Sequence, residues 1–366
     1  MRYLSRKLQV VAVGAALALA AAACGGDVGD PEEPDTDPVE DIEEDDDDAD
    51  DADEDADEDA AAPDGDIVIG MMPKLTGIPY FNAAQQGAQE AADELGVTLD
   101  FDGPTSESSA AQVELIEQWT AQGYDAISVS ATDPDALAPA MTAAGEAGIG
   151  TSTWDADVNP DARDVFVNQA TAQGIGFELV DIMAEQTGGE GEFLIVTGSL
   201  TAPNQNAWIA AMEERIESEY PDMVIAAIEP GDEDLEQGID VTRAYLQANP
   251  DTAGVFGITS VALPGAAEAV EQLGLVGDVV VTGLGVPSEA GPYVDSGAIE
   301  EFALWNPIDL GYLALYVAYL QATGELPESG TFEAGRLGEV GFADDGVIEL
   351  GPAFRFNADN IGDFDF

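Results

Sequence analysis

From Ile67 onward, short β-rich apolar runs alternate with amphipathic stretches of helical period, and no other feature restricts the fold so tightly. The runs read IVIG (67–70), VTLDF (97–101), AISVS (126–130), IGTSTW (149–154), FLIVTG (193–198), MVIAAI (223–228), GVFGI (254–258), VVVTGL (279–284) and IEEFAL (299–304). Between them lies helical spacing: over 81–95, Phe81, Ala84, Ala88, Ala91 and Leu95 recur at intervals of three and four. The pattern predicts further helices over roughly 110–122, 135–147, 170–187, 204–219, 234–248, 262–273 and 308–322. Gly96, Gly123, Gly148, Gly188, Gly274 and Gly324 stand where a helix C-cap is expected. Strands that are apolar along their length, each followed by a helix, belong to parallel sheets covered on both faces. More than eight such units in about 300 residues predict an α/β protein of two doubly wound parallel-sheet lobes, not one very wide sheet.

The chain ahead of Ile67 is different in kind. Arg2, Arg6 and Lys7 precede an apolar run from Leu8 to Ala23 that has the length of a signal peptide and is short for a membrane span. Ala21, Ala22 and Ala23 lead into Cys24, the only cysteine of the chain, which Gly25 and Gly26 follow. This order is similar to the lipobox of bacterial lipoproteins, with Ala21 where leucine is usual. It implies a signal peptide over 1–23, lipid attachment at Cys24 and an extracytoplasmic location on the outer face of the cell membrane. A lone cysteine can form no internal disulfide. From Asp27 to Asp66 the chain is acidic and of low complexity, with too little apolar surface to offset the entropy of ordering. Residues 24–66 are therefore read as a disordered tether.

Charge excludes whole classes of partner. Of the 75 acidic residues, 24 lie between Asp27 and Asp66, so 51 acidic residues against six basic ones leave the remainder at about −45. The six are Lys74, Arg163, Arg215, Arg243, Arg336 and Arg355. A field of that sign opposes nucleic-acid binding, which needs cations to replace counterions. It suits a protein working in high salt, where self-repulsion is screened. There is no histidine, no GxxxxGK[ST] and no GxSxG, which disfavours Walker nucleotidases, α/β-hydrolases and histidine acid–base enzymes. A carboxylate-only glycosidase would need two suitably placed acids. The reading is of a binding protein, not an enzyme, with no cofactor and no metal.

In open α/β sheets, ligands bind at the carboxyl ends of the strands. The loops there read PKLTGIPYFN, SATDPDA, WDADVNP, TGSLTAPNQNAW, GITSVALPG, TGLGVPSEAG and LWNPIDLGY. They are rich in aromatics, amides and carboxylates. Such groups pair with vicinal hydroxyls and cover an apolar C–H face, as a polyhydroxylated ligand requires.

Over essentially all of 67–366 the chain resembles the periplasmic type I sugar-binding proteins, in the branch of the autoinducer-2-binding and rhamnose-binding members. The stretches that carry the resemblance are MPKLTGIPYF (72–81), DGPT (102–105), QGYDAISVSA (122–131), TWDAD (153–157), NQNAW (204–208), FALWNPIDLGY (302–312) and FNADNIGDFDF (356–366). The autoinducer-2 pattern places ligand contacts at Lys74, Asp155 and Gln205. It differs at Asn204, where it has Asp, at Ile258, where it has Pro, and at Ser260, where it has Ala. Ribose binders typically place a carboxylate where Gly285 stands. The resemblance implies two lobes joined by a multi-strand hinge, with 67–167 and about 306–342 in one and 168–305 and about 343–366 in the other. It implies capture of rhamnose or a related small sugar by a monomer that delivers to an ABC permease with a separate ATPase chain. The alternative is an autoinducer-2-type ligand, for uptake or chemosensing.

The candidate ligand-binding residues are Lys74, Tyr80, Phe81, Asp155, Asn204, Gln205, Ser260 and Asn306. Lys74 is the only lysine beyond Lys7 and is read as a point charge donating to ligand hydroxyls. Asp155 is the expected bidentate acceptor. Tyr80 and Phe81 either stack on a sugar ring or open a helix, and Trp305 is either a ring platform or a hinge-packing residue. One of Asn204, Gln205 and Asn206 is expected to cap a helix, leaving the others to face the cleft. Asp157 is read as a turn or cap residue.

Overall fold

β1, β2 and β3 of the first sheet are each followed by a helix that the local sequence starts and stops. The computed structural model of the chain describes residues 66–343 and 346–366; the signal segment, Cys24 and the tether up to residue 65 lie outside the described residues. β1 (Val68–Met72) leads to α1 (Pro79–Leu95), which begins with proline, tolerated where the N–H has no helical partner, and ends at Gly96 with φ 71°. β2 (Thr98–Phe101) leads to α2 (Ser109–Gln122), where the Ser108 side chain accepts from the Ala111 N–H. β3 (Ala126–Val129) leads to α3 (Pro134–Glu146), capped by Asp133 through the N–H groups of Asp135 and Ala136. β4 (Gly150–Trp154) and β5 (Val165–Asn168) follow.

Beyond Asn168 the rhythm repeats in a second sheet. It comprises α4 (Ala172–Thr187), β6 (Glu190–Thr197), α5 (Pro203–Glu219), β7 (Asp222–Pro230), α6 (Leu235–Ala248), β8 (Gly254–Gly257), α7 (Ala262–Leu273) and β9 (Val280–Gly283). Then come α8 (Pro287–Ser296), β10 (Glu301–Leu304) and α9 (Pro307–Ala322). Four short strands close the chain: β11 (Thr331–Glu333), β12 (Glu339–Gly341), β13 (Val347–Glu349) and β14 (Phe354–Asn357).

The first sheet has the order β13-β5-β4-β3-β1-β2 and the second β7-β6-β8-β9, and every pairing in both is parallel. An isolated bridge from Leu284 to Ala303 continues the second sheet to β10, whose other edge pairs antiparallel with β14. The α/β class with parallel sheets matches the reading of the sequence. β13 corrects one boundary: residues 347–349 pair with β5 in the first sheet, so the last passage between sheets follows Glu349 and does not fall at 343. β5 and α8 are additions that the apolar pattern did not predict. Gly148 and Gly324 adopt the left-handed turn (φ 87° and 70°) one residue after the caps Ala147 and Thr323.

α1 and α9 lie against the same face of the first sheet in unusually close approach. A Cβ at Gly87 would fall 1.8 Å from the Ile308 carbonyl oxygen, and one at Gly311 would fall 1.9 Å from that of Ala84. Only glycine at both positions lets the backbones touch, and this contact seats the first turns of α9 against the middle of α1. We expect Gly311→Ala to force the helices apart and cost about 1–3 kcal/mol. Chemical denaturation in molar salt measures this; an unchanged midpoint would show that the helices separate without penalty.

Candidate functional site

The carboxyl ends of β1, β3 and β4 face those of β6, β8 and β9 across a cavity, the place where open parallel sheets bind ligands. Residues from both sheets line it, including Lys74, Tyr80 and Asp155 from the first and Asn204, Gln205 and Ser260 from the second.

Asp155 organises the first side. It follows β4 directly, and the reversal that joins Trp154 to Ala156 puts it at φ 62°, a left-handed conformation that aspartate tolerates better than most residues. The turn drives its carboxylate inward, where it is only 4% exposed. An unpartnered carboxylate at such a depth would cost several kcal/mol. Here Oδ1 accepts from the Tyr80 hydroxyl at 2.9 Å and Oδ2 from the Ser130 hydroxyl at 2.8 Å, while Lys74 Nζ lies 3.6 Å from Oδ2. A carboxylate has about four lone-pair directions, so capacity remains for a ligand. Burial and the adjacent Asp155 push the Tyr80 phenol well above its ordinary range, which keeps it a proton donor.

Tyr80 also receives a hydrogen bond, from Trp305 Nε1 at 3.0 Å. It thereby links the first turn of α1 to the passage between β10 and α9. Edge-to-face and tilted rings extend the link in both directions, through Phe81 and Trp154 to Phe101 on one side and through Trp305 to Trp208 of α5 on the other. Trp305 is 3% exposed and lines the cavity, packed between Tyr80 and Trp208.

Lys74, 6% exposed, donates to Asn204 Oδ1 at 2.9 Å, and Asn204 Nδ2 donates to the Asp155 backbone oxygen at 3.3 Å. Asn204 thus bridges the two sides. Gln205 Oε1 accepts from the Thr197 hydroxyl and, at 2.8 Å, from the Gly198 N–H, while its Nε2 donates to Glu233 at 3.1 Å. None of the three amides caps α5, which starts on Pro203 after Ala202. Asp157 is a structural residue, held by Arg163 in an ion pair of 2.8 Å.

Seven of the eight candidates converge: Lys74, Tyr80, Phe81, Asp155, Asn204, Gln205 and Ser260 line the cavity. Asn306 does not. Its Oδ1 accepts from the N–H groups of Ile308 (2.9 Å) and Asp309 (3.3 Å), so it caps α9 and borders a different cleft. The Asn-Pro pair at a helix start carried that signal. Glu233, Thr259 and Trp208 also line the cavity and went unrecognised in the sequence. Trp208 stands four residues after Asn204, one helical turn along the same face, which could have exposed it. Among the described residues no acidic or cysteine cluster is arranged to hold a metal ion. No helix there is long and apolar enough to cross a membrane.

Residues 69–326 match the family described as "Periplasmic binding protein domain". Among solved structures, the chain is similar to LsrB of Clostridium saccharobutylicum in complex with AI-2, at 30% identity and a TM-score of 0.78, covering 82% of this chain and 100% of that one. It is equally similar to an ABC transporter solute-binding protein of Clostridium phytofermentas with bound L-rhamnose, at 31% identity and a TM-score of 0.78, covering 82% and 98%. The ribose import binding protein of Salmonella typhimurium is 27% identical over 256 residues, 68% of this chain and 82% of that protein.

The Tyr80 hydroxyl is the junction of the two sides, and its removal is a direct test. Tyr80→Phe leaves Asp155 short of a donor and the Trp305 N–H without an acceptor, for an expected loss of about 1–3 kcal/mol in the unliganded protein. A denaturation midpoint equal to that of the wild type would remove the hydroxyl from this role.

Proposed function

The chain belongs to the periplasmic binding protein domain family, within the type I solute-binding proteins of sugar ABC transporters, and from that premise we propose that it captures rhamnose or a related small neutral sugar for import. One observation carries this reading: a lysine, two carboxylates and two amides converge from both sheets on a cavity with aromatic walls. Hydroxyl pairs of a sugar would meet donors and acceptors on each side, and a C–H face would meet Tyr80, Phe81 or Trp305. The proposed ligand contacts are Lys74, Tyr80, Phe81, Asp155, Asn204, Gln205 and Ser260. Contacts to both lobes favour the closed arrangement, which is the form that would dock on a permease driven by a separate ATPase chain.

Lys74, Asp155 and Gln205 also fit the autoinducer-2 pattern, and they favour such a ligand as the second reading. The three departures from that pattern, Asn204, Ile258 and Ser260, all line the cavity, so the differences fall where a ligand would be discriminated. The proposal extends to the N-terminus: Cys24 carries a lipid, the acidic segment holds a monomeric domain off the outer face of the membrane, and the acidity suits a saline medium.

Calorimetry and thermal shift in molar salt, with L-rhamnose, D-ribose, D-allose and autoinducer-2, test the reading. A bound sugar at 100 times its Kd is expected to add about 2.7 kcal/mol of stability; no response to any sugar would sink it. Asp155→Asn keeps the left-handed turn accessible and removes the charge. It is expected to weaken binding about 10- to 100-fold, and retained affinity would take Asp155 out of the site.

A further inference from the structure

The cavity contains a carboxylate that neither the loop chemistry nor the family resemblance assigns. Glu233 lies between β7 and α6 in the run GDED (231–234), where the backbone is left-handed twice, with φ 54° at Asp232 and 50° at Glu233. Non-glycine residues seldom adopt this conformation, and such strain gathers at functional sites. Among the described residues the one other non-glycine position with positive φ is Asp155, on the opposite side of the same cavity.

The segment is firmly held. The Gly231 N–H donates to the Thr197 oxygen at 2.7 Å and that of Asp232 to the Gly198 oxygen at 2.8 Å, while the Asp234 side chain caps α6 through the Gln237 N–H at 2.9 Å. Glu233 Oε1 accepts from Gln205 Nε2. A Cβ at Gly198 would fall 2.0 Å from that same oxygen, so the carboxylate occupies space that only glycine leaves open. Burial raises the proton affinity of Glu233, with Glu107 adding to the effect and Lys74, Thr259 and Gln205 opposing it. An acid held above its ordinary range contributes stability when protonated and loses it as pH rises through the shifted value. At neutral pH, therefore, Glu233 costs the fold stability, in a backbone conformation that costs more. Backbone strain together with a half-buried charge set in a cavity wall points to function rather than to folding.

Resting on the sugar reading above, we propose that Glu233 is a specificity-determining ligand contact. It is the hydroxyl acceptor of the second lobe, facing Asp155 of the first, and it selects neutral polyhydroxylated ligands against those bearing a carboxylate or phosphate. Two carboxylates face a single ammonium, and that ammonium is already engaged by Asn204 and Asp155. An anionic sugar would bring like charge into the cavity with no free cation to receive it, which is rejection by built-in repulsion. A neutral sugar would donate to both carboxylates in charge-assisted hydrogen bonds.

The test compares wild type with Glu233→Gln by calorimetry and thermal melting in molar salt at pH 7.5. The probes are L-rhamnose, D-ribose and D-allose, with D-galacturonate as the anionic one. The variant is expected to bind the preferred neutral sugar about 10- to 100-fold more weakly and to discriminate less against galacturonate. Its ligand-free melting temperature should hold or rise. Affinity and stability moving in opposite directions is a result that a merely structural glutamate would not give. Gly198→Ala, which dislodges Oε1 but keeps the charge, should weaken neutral-sugar binding and preserve the rejection of galacturonate. Unchanged affinity and selectivity in Glu233→Gln, or a melting temperature that falls along with affinity, would overturn the inference alone. Failure of the wild type to bind any neutral sugar would overturn the sugar reading itself and this inference with it.

Discussion

A buried carboxylate, that of Asp155, is the constraint around which the interior of this protein is arranged. Its hydration must be replaced by the protein, and the replacements come from two segments: Lys74 and Tyr80 between β1 and the first turn of α1, and Ser130 after β3. Those groups converge only if β1, β3 and β4 lie side by side in parallel, as they do. The sheet order is thus written into the coordination of one side chain. The Tyr80 hydroxyl then passes the constraint on to Trp305, and through Trp305 to the passage into α9. Loss of any one partner would expose the remaining charge to a low-polarity surround, where leaving a polar group unsatisfied costs more than making its hydrogen bond gains.

The acidic composition sharpens this economy. With so few basic residues past the tether, each is placed where elements meet. Arg355 of β14 reaches Glu178 and Glu185 of α4 and Glu301 of β10. Arg336 joins Glu90 of α1 to Asp309 of α9, and Arg215 of α5 pairs with Asp181 of α4. Arg163 locks Asp157 beside the β4 end. Exposed pairs contribute little individually, yet here they cancel repulsion at junctions that would otherwise collect like charge. Lys74 differs from these in facing the cavity. Only one cation is spent on the ligand side, and the net sign inside the cleft follows from that.

The parts of this arrangement that sequence reveals are those governed by local periodicity. Strands β1 to β4 and β6 to β10 and helices α1 to α7 and α9 follow from apolar runs, helical spacing and cap residues. β5 escapes notice because VFVN has three apolar residues closed in by Asp164, Asn168 and Gln169 and follows β4 with no full helix between, and α8 because Pro287, Gly291 and Pro292 interrupt any helical pattern. β13 has no signal of its own; its three residues become a strand by pairing with β5. The site divides along the same line. Lys74 and Asp155 are legible as charged residues at strand ends, whereas Asn306 sits at a strand end and turns back over the helix it caps. Glu233 is concealed by its neighbours, since GDED before a helix reads as capping, and Asp234 does cap α6. Which carboxylate of an acidic run enters a cavity depends on two left-handed residues that composition does not predict.

Two kinds of contact hold the sheets together, and their chemistry assigns them different tasks. The aromatic series from Trp154 through Phe81, Tyr80 and Trp305 to Trp208 is buried, so separating it would expose large apolar surface at about 25 cal/mol per Å². The contacts across the cleft mouth are polar: Lys74 to Asn204, and Asn204 to the Asp155 carbonyl. Water can replace those bonds at a net cost of about 0.5–1.5 kcal/mol each for neutral groups and somewhat more for the lysine. On the proposed two-lobed reading, the interface resists parting at its aromatic contacts and yields at its polar ones, the distribution of strength a hinge requires. A ligand that hydrogen-bonds to both edges adds to the weaker set, and its differential contacts decide how far the closed arrangement is favoured. On the proposed reading, therefore, the polar groups that would recognise the ligand are also those that would control closure.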